Sequence, residues 1–211
     1  MNKAYKESLN RSEWEKYPKK NIMLHEMYYT HKLPESVTEI IKSRIKICSE
    51  NFLKSNTVND FLNREINVIE LEKLNIIKHN GSDIFVKLDV LFTCNDEWII
   101  TDWKTGHEDE KNELQVKLYA YYVHKLYGIP LEKIKVRTEY LLTGECVSEE
   151  VSEDELDELF QYIDLSINKM KELLFDKDKN IPHSVDKFAA TTKPIRCKMC
   201  NFRGICDVKL N

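Results

Sequence analysis

Apolar residues recur at helical spacing in several long stretches of the chain and form shorter, strand-like runs elsewhere. Apolar residues at three- and four-residue steps predict an amphipathic helix, whereas alternating or short continuous apolar runs predict strands. Asn80-Gly81 and Asn95-Asp96 have the composition of tight turns between such strands. The pattern predicts helices over residues 36–55, 58–64, 110–127 and 152–174, and strands over residues 66–74, 84–93, 98–103, 134–142 and 146–151.

Alternating helices and strands predict an α/β fold in which a mixed central sheet is flanked by helices. A chain of 211 residues is long enough to bury a sizeable core. We expect one compact domain with three parts along the sequence. These are an N-terminal helical region over residues 1–65, a core over 66–175 and a Cys-rich C-terminal tail over 176–211, in which residues 176–196 are predicted to form a loop.

Three charged residues, Asp89, Asp102 and Lys104, stand within otherwise apolar stretches. An isolated buried charge is very costly, so these groups need partners or a bound cation. Residues 102 and 104 are two apart and therefore share one face of a strand. A cation between the two aspartates, with the lysine beside it, would account for all three. A salt bridge between Asp102 and Lys104 at the end of a sheet is the alternative explanation for that pair.

Three of the six cysteines lie together near the C-terminus as Cys197-x-x-Cys200-x5-Cys206. Clustered thiols in a chain that starts without an apolar signal segment indicate a metal rather than disulfides. Structural zinc and a 4Fe–4S cluster each take four ligands, so a fourth is required. Cys48 has the position in the chain to supply it, but it also falls on the apolar stripe of a predicted helix. Cys48 is therefore interpreted as a core residue, with the role of fourth ligand as the alternative.

Composition and charge exclude some classes of function. Hydrophobic residues make up 42% and charged residues 32% of the chain, which is typical of a globular protein. No apolar run is long enough to span a bilayer, and the start MNKAYKESLN has no apolar signal region, so we expect a cytoplasmic location. The net charge of -4 does not indicate nucleic-acid binding. The basic tail over residues 187–209 is compatible with a phosphate backbone, or with an unevenly charged surface.

The series of motifs resembles the PD-(D/E)XK nuclease superfamily, and within it the RecB-type branch that includes CRISPR-associated adaptation exonucleases. Residues 102–106 read Asp-Trp-Lys-Thr-Gly and are similar to that branch's Asp-(Tyr/Trp)-Lys-Thr-Gly. Gln115 and Tyr119 are similar to its Gln-x-x-x-Tyr, and the cysteine tail to its iron–sulfur segment. The chain lacks the branch's N-terminal Cys-Pro segment. Ile22 stands where its Gly-x-x-His segment has Gly, so His25 is interpreted as a packing or surface residue.

The resemblance implies a restriction-endonuclease-like core and a magnesium or manganese site. It gives Asp89 and Asp102 the role of metal ligands, Trp103 that of a ligand through its backbone carbonyl, and Lys104 a catalytic role. A further carboxylate is implied upstream, for which Glu70 is preferred over Glu72. It gives Gln115 and Tyr119 the roles of holding DNA and orienting polar groups, and it implies that Cys197, Cys200 and Cys206 bind an iron–sulfur cluster, with zinc as the alternative.

Two functions are therefore expected from the sequence. The first is a metal-dependent DNA nuclease, an exonuclease on single-stranded or end-containing DNA, which works with a helicase or another DNA-processing partner and not at a membrane. The second is a non-catalytic DNA-binding or scaffold subunit that keeps the nuclease fold. The intact aspartates and lysine favour the first, and the missing N-terminal segments favour the second.

Overall fold

The computed structural model describes residues 2–107 and 111–206. Helices α1 to α8 span Asn2–Leu9, Arg11–Lys16, His25–Thr30, Glu35–Leu53, Asn56–Asn63, Lys111–Tyr127, Glu153–Lys171 and Pro194–Lys198. Strands β1 to β9 span Asn67–Leu71, Leu74–His79, Ser82–Lys87, Val90–Cys94, Glu97–Lys104, Ile134–Tyr140, Glu145–Glu149, Leu174–Asp176 and Ile181–Pro182.

The chain divides into two compact units. Met1–Ile41 and Ile181–Asn211 form the first, here called the terminal unit, and Lys42–Asn180 form the second, called the sheet unit. The division into residues 1–65, 66–175 and 176–211 stays a prediction.

A five-stranded sheet in the order β1-β4-β5-β6-β7 forms the centre of the sheet unit. Its neighbouring strands are antiparallel except for β5 and β6, which run parallel. The parallel pair needs a crossover connection, and helix α6 lies between these two strands in the chain. The predicted mixed α/β architecture is confirmed.

The first two predicted strands are a single long hairpin that bends in the middle. The strand predicted over 66–74 ends as β1 at Leu71, and a further strand, β2, runs from Leu74 to His79, mostly beyond the predicted range. The strand predicted over 84–93 divides into β3 and β4. Leu71 lies opposite Val90 and Leu74 lies opposite Lys87, so one register continues across the bend. The bend moves the chain from the two-stranded β2–β3 sheet into the five-stranded sheet, and Asp89 lies at that point.

Two turns predicted from the sequence are confirmed. Asn80 and Gly81 connect β2 to β3, and Asn95 and Asp96 connect β4 to β5, each as a two-residue loop. All four residues have positive φ angles, between 46° and 74°. Two-residue hairpin loops favour this conformation because its twist matches that of the flanking strands.

The five-stranded sheet carries apolar side chains on both faces. On one face Leu91, Ile100 and Val136 pack into a cluster with residues of α6 and α7, including Val123 and Leu159, all of them buried. Each such side chain contributes roughly 1.5–3 kcal/mol when it leaves water.

On the other face Val90, Phe92 and Ile99 form a second cluster. The ring of Phe61, from α5, packs edge-on against Phe92 with their centroids 5.2 Å apart. Because both faces of the sheet are apolar, a polar side chain on either face needs a hydrogen-bond or ion-pair partner.

The sequence Ser152-x-x-Glu155 predicts a capping box at the start of α7, and the structure confirms it. The Ser152 side chain accepts a hydrogen bond from the Glu155 backbone N–H, and the Glu155 carboxylate accepts one from the Ser152 N–H. The predicted start of α6 at residue 110 lies outside the described residues. The region predicted as a loop over 176–196 contains the β8–β9 pair and the start of α8. Among the described residues, no helix has both the length and the apolar character needed to cross a membrane.

Candidate active site

The bend in the hairpin brings Asp89 and Asp102 together. Val90 on β4 lies opposite Thr101 on β5, and Asp89 and Asp102 are the residues next to this pair, with Asp89 in the bend itself. The backbone N–H of Trp103 donates a hydrogen bond of 2.8 Å to Asp89 Oδ2, which fixes that carboxylate against β5.

The two carboxylates interact electrostatically. Burial raises the pKa of Asp89 above its ordinary value, and the negative charges of Asp102 and Glu72 raise it further. The Trp103 N–H and the Lys104 ammonium lower it in part. Like charges held this close favour a cation, because a cation would offset the cost of ionising both groups.

Asp102 is 5% exposed, and its two oxygens have different surroundings. Oδ2 lies 2.7 Å from the ammonium of Lys104. The angles of this ion pair are not those of a hydrogen bond, and no other group of the described residues donates to Oδ2. Lys104 instead donates to Gln115 Oε1 at 2.6 Å. Asp102 Oδ2 is buried and accepts no hydrogen bond, so it can still accept a further ligand.

Gln115 and Tyr119 extend this set of contacts from α6. The Gln115 amide nitrogen donates to the Tyr119 hydroxyl at 2.5 Å, while its carbonyl accepts from Lys104. The Tyr119 hydroxyl lies 3.0 Å from the Lys87 carbonyl oxygen and 3.4 Å from Asp102 Oδ1. Burial raises the pKa of Tyr119, so this phenol stays a neutral donor beside the carboxylates. The predicted pair therefore does lie on one helix face towards Asp102 and Lys104.

Glu70 has a different set of partners. Its buried carboxylate accepts hydrogen bonds from Tyr122 at 2.7 Å, Tyr127 at 2.5 Å and Asn75 at 3.0 Å. Burial and the bond to Glu70 raise the pKa of Tyr127 to about 12. Within residues 2–107 and 111–206, no three His, Cys, Asp or Glu side chains gather closely enough to hold a metal ion together. The structure thus brings Asp89 and Asp102 together but does not add Glu70 to them as a third ligand.

Sequence analysis missed a buried polar network on the other face of the same strands. Glu139 on β6 accepts from the Trp103 indole N–H at 2.7 Å and from the Thr57 backbone N–H at 2.8 Å. Arg137, two residues earlier, pairs with Asp60 at 2.8 Å. Two charged residues at a two-residue step inside the strand IKVRTEY were a signal for this network.

Asp89 and Asp102 have the chemistry of a magnesium or manganese site. Both offer carboxylate oxygens, which hard divalent cations prefer, and magnesium is typically held by one or two carboxylates with waters and substrate phosphates. The donor-free Oδ2 of Asp102 and the mutual repulsion of the two carboxylates both fit such an ion. On these observations the residues present suit a divalent cation.

The cysteine tail lies in the terminal unit, against α3. The Tyr29 hydroxyl donates to the Asn201 carbonyl at 2.6 Å, and the Arg203 guanidinium lies 3.9 Å from the Tyr29 ring centre. Gly204 also contacts this ring, since a Cβ there would lie 3.4 Å from it. The tail therefore packs against α3. The sulfurs of Cys197, Cys200 and Cys206 are not gathered into a metal-binding group in the described part of the chain.

His25 and Cys48 each pack against neighbouring side chains. His25 packs on the Tyr29 ring at 4.8 Å, as expected of a packing histidine, and its buried Nε2 lacks a hydrogen-bond partner among the described residues. Cys48, in the sheet unit, is buried beside Phe52 and Leu141. The predicted core position of Cys48 is confirmed.

One comparison with known proteins identifies a family. A sequence model of the PD-(D/E)XK nuclease superfamily matches residues 3–207. A candidate exonuclease from Eubacterium rectale is 10% identical, covers 94% of this chain and 73% of its own, and gives a TM-score of 0.45. SSO0001 is 16% identical, with coverage of 97% and 84% and a TM-score of 0.34. These low TM-scores carry no conclusion of their own. No curated protein matches the chain.

Proposed function

The chain belongs to the PD-(D/E)XK nuclease superfamily, and from that premise we propose that it is a divalent-metal-dependent deoxyribonuclease that hydrolyses phosphodiester bonds. The observation that carries the proposal is the proximity of Asp89, held by the Trp103 N–H, to Asp102, whose buried Oδ2 contacts the Lys104 ammonium and accepts no hydrogen bond in the described part of the chain. The finer assignment is an exonuclease of the RecB type on single-stranded or end-containing DNA. Its support is the Asp-Trp-Lys-Thr-Gly sequence at 102–106.

In this proposal Asp89, Asp102 and the backbone carbonyl of Trp103 hold magnesium or manganese. When bound, such an ion supplies an activated water, neutralises charge on the phosphoryl oxygens and assists the leaving oxygen. Lys104, a compact point charge 2.7 Å from Asp102 Oδ2, stabilises negative charge that develops on the phosphoryl group in the transition state. Its ammonium is aimed by the Gln115 carbonyl, which is held in turn by Tyr119.

Glu70 is proposed as a weaker, additional carboxylate of this site. Its hydrogen bonds to Tyr122 and Tyr127 would have to be exchanged for a metal contact. Its place on β1, which pairs with the same strand β4 that Asp89 precedes, supports the assignment.

The test is cleavage of end-labelled single- and double-stranded DNA with magnesium, manganese or EDTA, with matched labelled RNA in parallel. We expect metal-dependent loss of label from DNA ends by the native chain and no cleavage by Asp102→Asn, which keeps the shape of the side chain but removes its charge. An Asp102→Asn protein that cuts at the native rate would refute the proposed site. Cleavage of circular single-stranded DNA would replace the exonuclease assignment by an endonuclease.

The cysteine tail is proposed separately to bind a 4Fe–4S cluster, or zinc in its place, through Cys197, Cys200 and Cys206. The support is their spacing and the soft thiolate chemistry that both groups require. The sulfurs are not gathered among the described residues, so no step of catalysis is derived from such a group. Metal analysis and visible absorption of anaerobically purified protein, beside a Cys200→Ser variant, test it. Metal content equal in both proteins would refute it.

A non-catalytic DNA-binding subunit is the second candidate. It is favoured by the pairing of Glu70 with tyrosines, which leaves two carboxylates together rather than three in the part of the chain that is described. DNA binding by the native chain without cleavage under any metal would establish it. Either function carries the expectations of a cytoplasmic location and a DNA-processing partner such as a helicase, which fluorescence localisation and co-purification test.

A further inference from the structure

Trp103 is held on two sides at once. Its backbone N–H donates to Asp89 Oδ2 at 2.8 Å, and its indole N–H donates to Glu139 Oε2 at 2.7 Å. The side chains of successive strand residues project from opposite faces. The indole of Trp103 therefore lies on the face opposite to Asp102 and Lys104, while its backbone contacts a proposed metal ligand. One residue thus links the two faces of the sheet.

Glu139 is suited to hold this indole in place. It is 2% exposed and lies directly beside Trp103 in the parallel β5–β6 register. Its second oxygen accepts the backbone N–H of Thr57, in the first turn of α5, at 2.8 Å. A buried carboxylate with a charge-assisted hydrogen bond to each oxygen has little freedom to move. The Trp103 ring is also packed edge-on against Phe52, with centroids 5.3 Å apart.

We propose that Glu139 is a positioning residue for the metal site, acting through Trp103 on Asp89. The proposal rests on the metal site of the proposed function and adds a residue on the opposite sheet face to it. Glu139 fixes the indole, the indole fixes the backbone of Trp103, and the Trp103 N–H fixes the orientation of the Asp89 carboxylate. Residues that orient metal ligands by hydrogen bonds typically change metal affinity about 10–100-fold when they are removed.

A contact on the sheet face of Trp103 and Glu139 provides a control that separates an effect on metal affinity from a general loss of folding stability. The hydroxyls of Thr57 and Thr101 hydrogen-bond at 2.7 Å, and both residues are buried. Thr101 lies on β5 two residues before Trp103, and its hydroxyl contacts the Thr57 hydroxyl, whereas Glu139 is held by the Thr57 backbone N–H. Thr101→Val removes a buried hydrogen bond from the same strand and face, so it is a matched control for the cost of disturbing this network.

The experiment measures manganese affinity of the full chain without DNA, by titration calorimetry, for the native protein, Trp103→Phe, Glu139→Gln, their double variant and Thr101→Val. Trp103→Phe removes the indole N–H and keeps a ring against Phe52. We expect each single variant to weaken binding about 10-fold, and the double variant to weaken it no more than the stronger single variant, because both act along one path. We expect Thr101→Val to bind as the native protein does.

A second readout does not depend on metal affinity. The chain has three tryptophans, so its indole N–H groups give three signals in a nitrogen–proton correlation spectrum. The signal lost in Trp103→Phe should shift in Glu139→Gln and, in the native protein, on addition of magnesium. This measurement also keeps the proposal falsifiable if Glu139→Gln folds poorly, since Trp103→Phe and the native protein suffice.

The outcomes are distinguishable. If Trp103→Phe binds manganese as tightly as the native protein does, the positioning role is overturned. It is also overturned if Thr101→Val loses as much manganese affinity as Trp103→Phe and Glu139→Gln do. Either result leaves the proposed nuclease site intact. Strictly additive losses in the double variant would also overturn the positioning role, because the two residues would then act independently. Failure of the native protein to bind manganese, with or without DNA, would overturn the proposed metal site and this inference together.

Discussion

Replacing Asp102 by asparagine should separate metal binding from folding. The change keeps the size of the side chain but removes a negative charge that is 2.7 Å from the Lys104 ammonium. It also removes one of the two negative charges that, in addition to burial, raise the pKa of Asp89. The lost ion pair destabilises the metal-free protein and the relieved repulsion stabilises it. Removing one partner of a buried ion pair costs about 3–5 kcal/mol, and the relieved repulsion at Asp89 offsets part of that cost. We therefore expect a net destabilisation below that range, at about 2–4 °C in the unfolding temperature per kcal/mol for a chain of this size.

A bound metal ion should raise the unfolding temperature of the native protein but not that of Asp102→Asn. An ion that binds the native state at one hundred times its dissociation constant adds about 2.7 kcal/mol to the free energy of unfolding. Since 1 kcal/mol corresponds to about 2–4 °C here, the native protein should gain about 5–11 °C with manganese. Asp102→Asn has lost the charged, donor-free oxygen of the pair and should gain none.

The assay is thermal unfolding by circular dichroism with manganese, calcium or EDTA, at concentrations set from the measured dissociation constant of the native protein. Asp83→Asn is the matched control, because Asp83 is paired with Lys78 on β2, away from the proposed site. It should keep the full gain. An Asp102→Asn protein that manganese stabilises as much as the native protein would refute the metal-site assignment.

Three further predictions follow from the same structure. Lys104→Met should lower the rate of DNA cleavage about 100–1,000-fold, because it removes a charge that stabilises the transition state. Calorimetry should show that this variant still binds manganese. Loss of manganese binding with a normal cleavage rate would contradict this role of Lys104. Glu70→Gln should weaken manganese binding less than Asp102→Asn does, since tyrosines hold that carboxylate; an equal loss would make Glu70 a full ligand. The pKa of Tyr127 is raised to about 12 in the folded chain, so the native state holds this proton more tightly and the free energy of unfolding should fall as pH rises from about 10 to about 12. Tyr127→Phe should flatten that fall in urea titrations, and an unchanged pH dependence would exclude Tyr127 as its source.

The parts of the fold that local chemistry determines could be predicted from the sequence. Asn80-Gly81 and Asn95-Asp96 fix two-residue turns, because these residue types tolerate positive φ. Gln115 and Tyr119 share a helix face because they are four residues apart. The capping box at Ser152 and Glu155 is equally local, and the structure confirms it.

The bend at Asp89 could not be predicted in this way. The apolar residues Val86, Leu88 and Val90 continue across it, and all three are buried. Strand periodicity therefore continues although the chain leaves one sheet for another. The bend is determined by the partner strand, where Glu72 adopts a φ of 52° and its N–H donates to the Asp89 carbonyl at 3.0 Å. That contact joins residues far apart in the chain.

The role of Glu139 was also hidden, for a related reason. It meets Trp103 across 36 residues of sequence, and the contact exists only because β5 and β6 run parallel in one particular register. Sequence periodicity shows that a charge at position 139 must find a partner. It does not show which one, since the crossover through α6 sets the register. The same holds for Glu70, whose partners Tyr122 and Tyr127 come from that helix.

The register of the bent hairpin explains why its length matters to the site. Leu74 lies opposite Lys87 and Leu71 opposite Val90, so the pairing set at the Asn80-Gly81 turn reaches Asp89 without interruption on that side of the bend. A one-residue shift in an antiparallel pair turns every following side chain to the other face. If one residue of β3 were deleted, Asp89 would either move to the face of Glu139 or force the bend to absorb the change. The site therefore depends on the number of residues between the turn and Asp89, as much as on the identity of the aspartate.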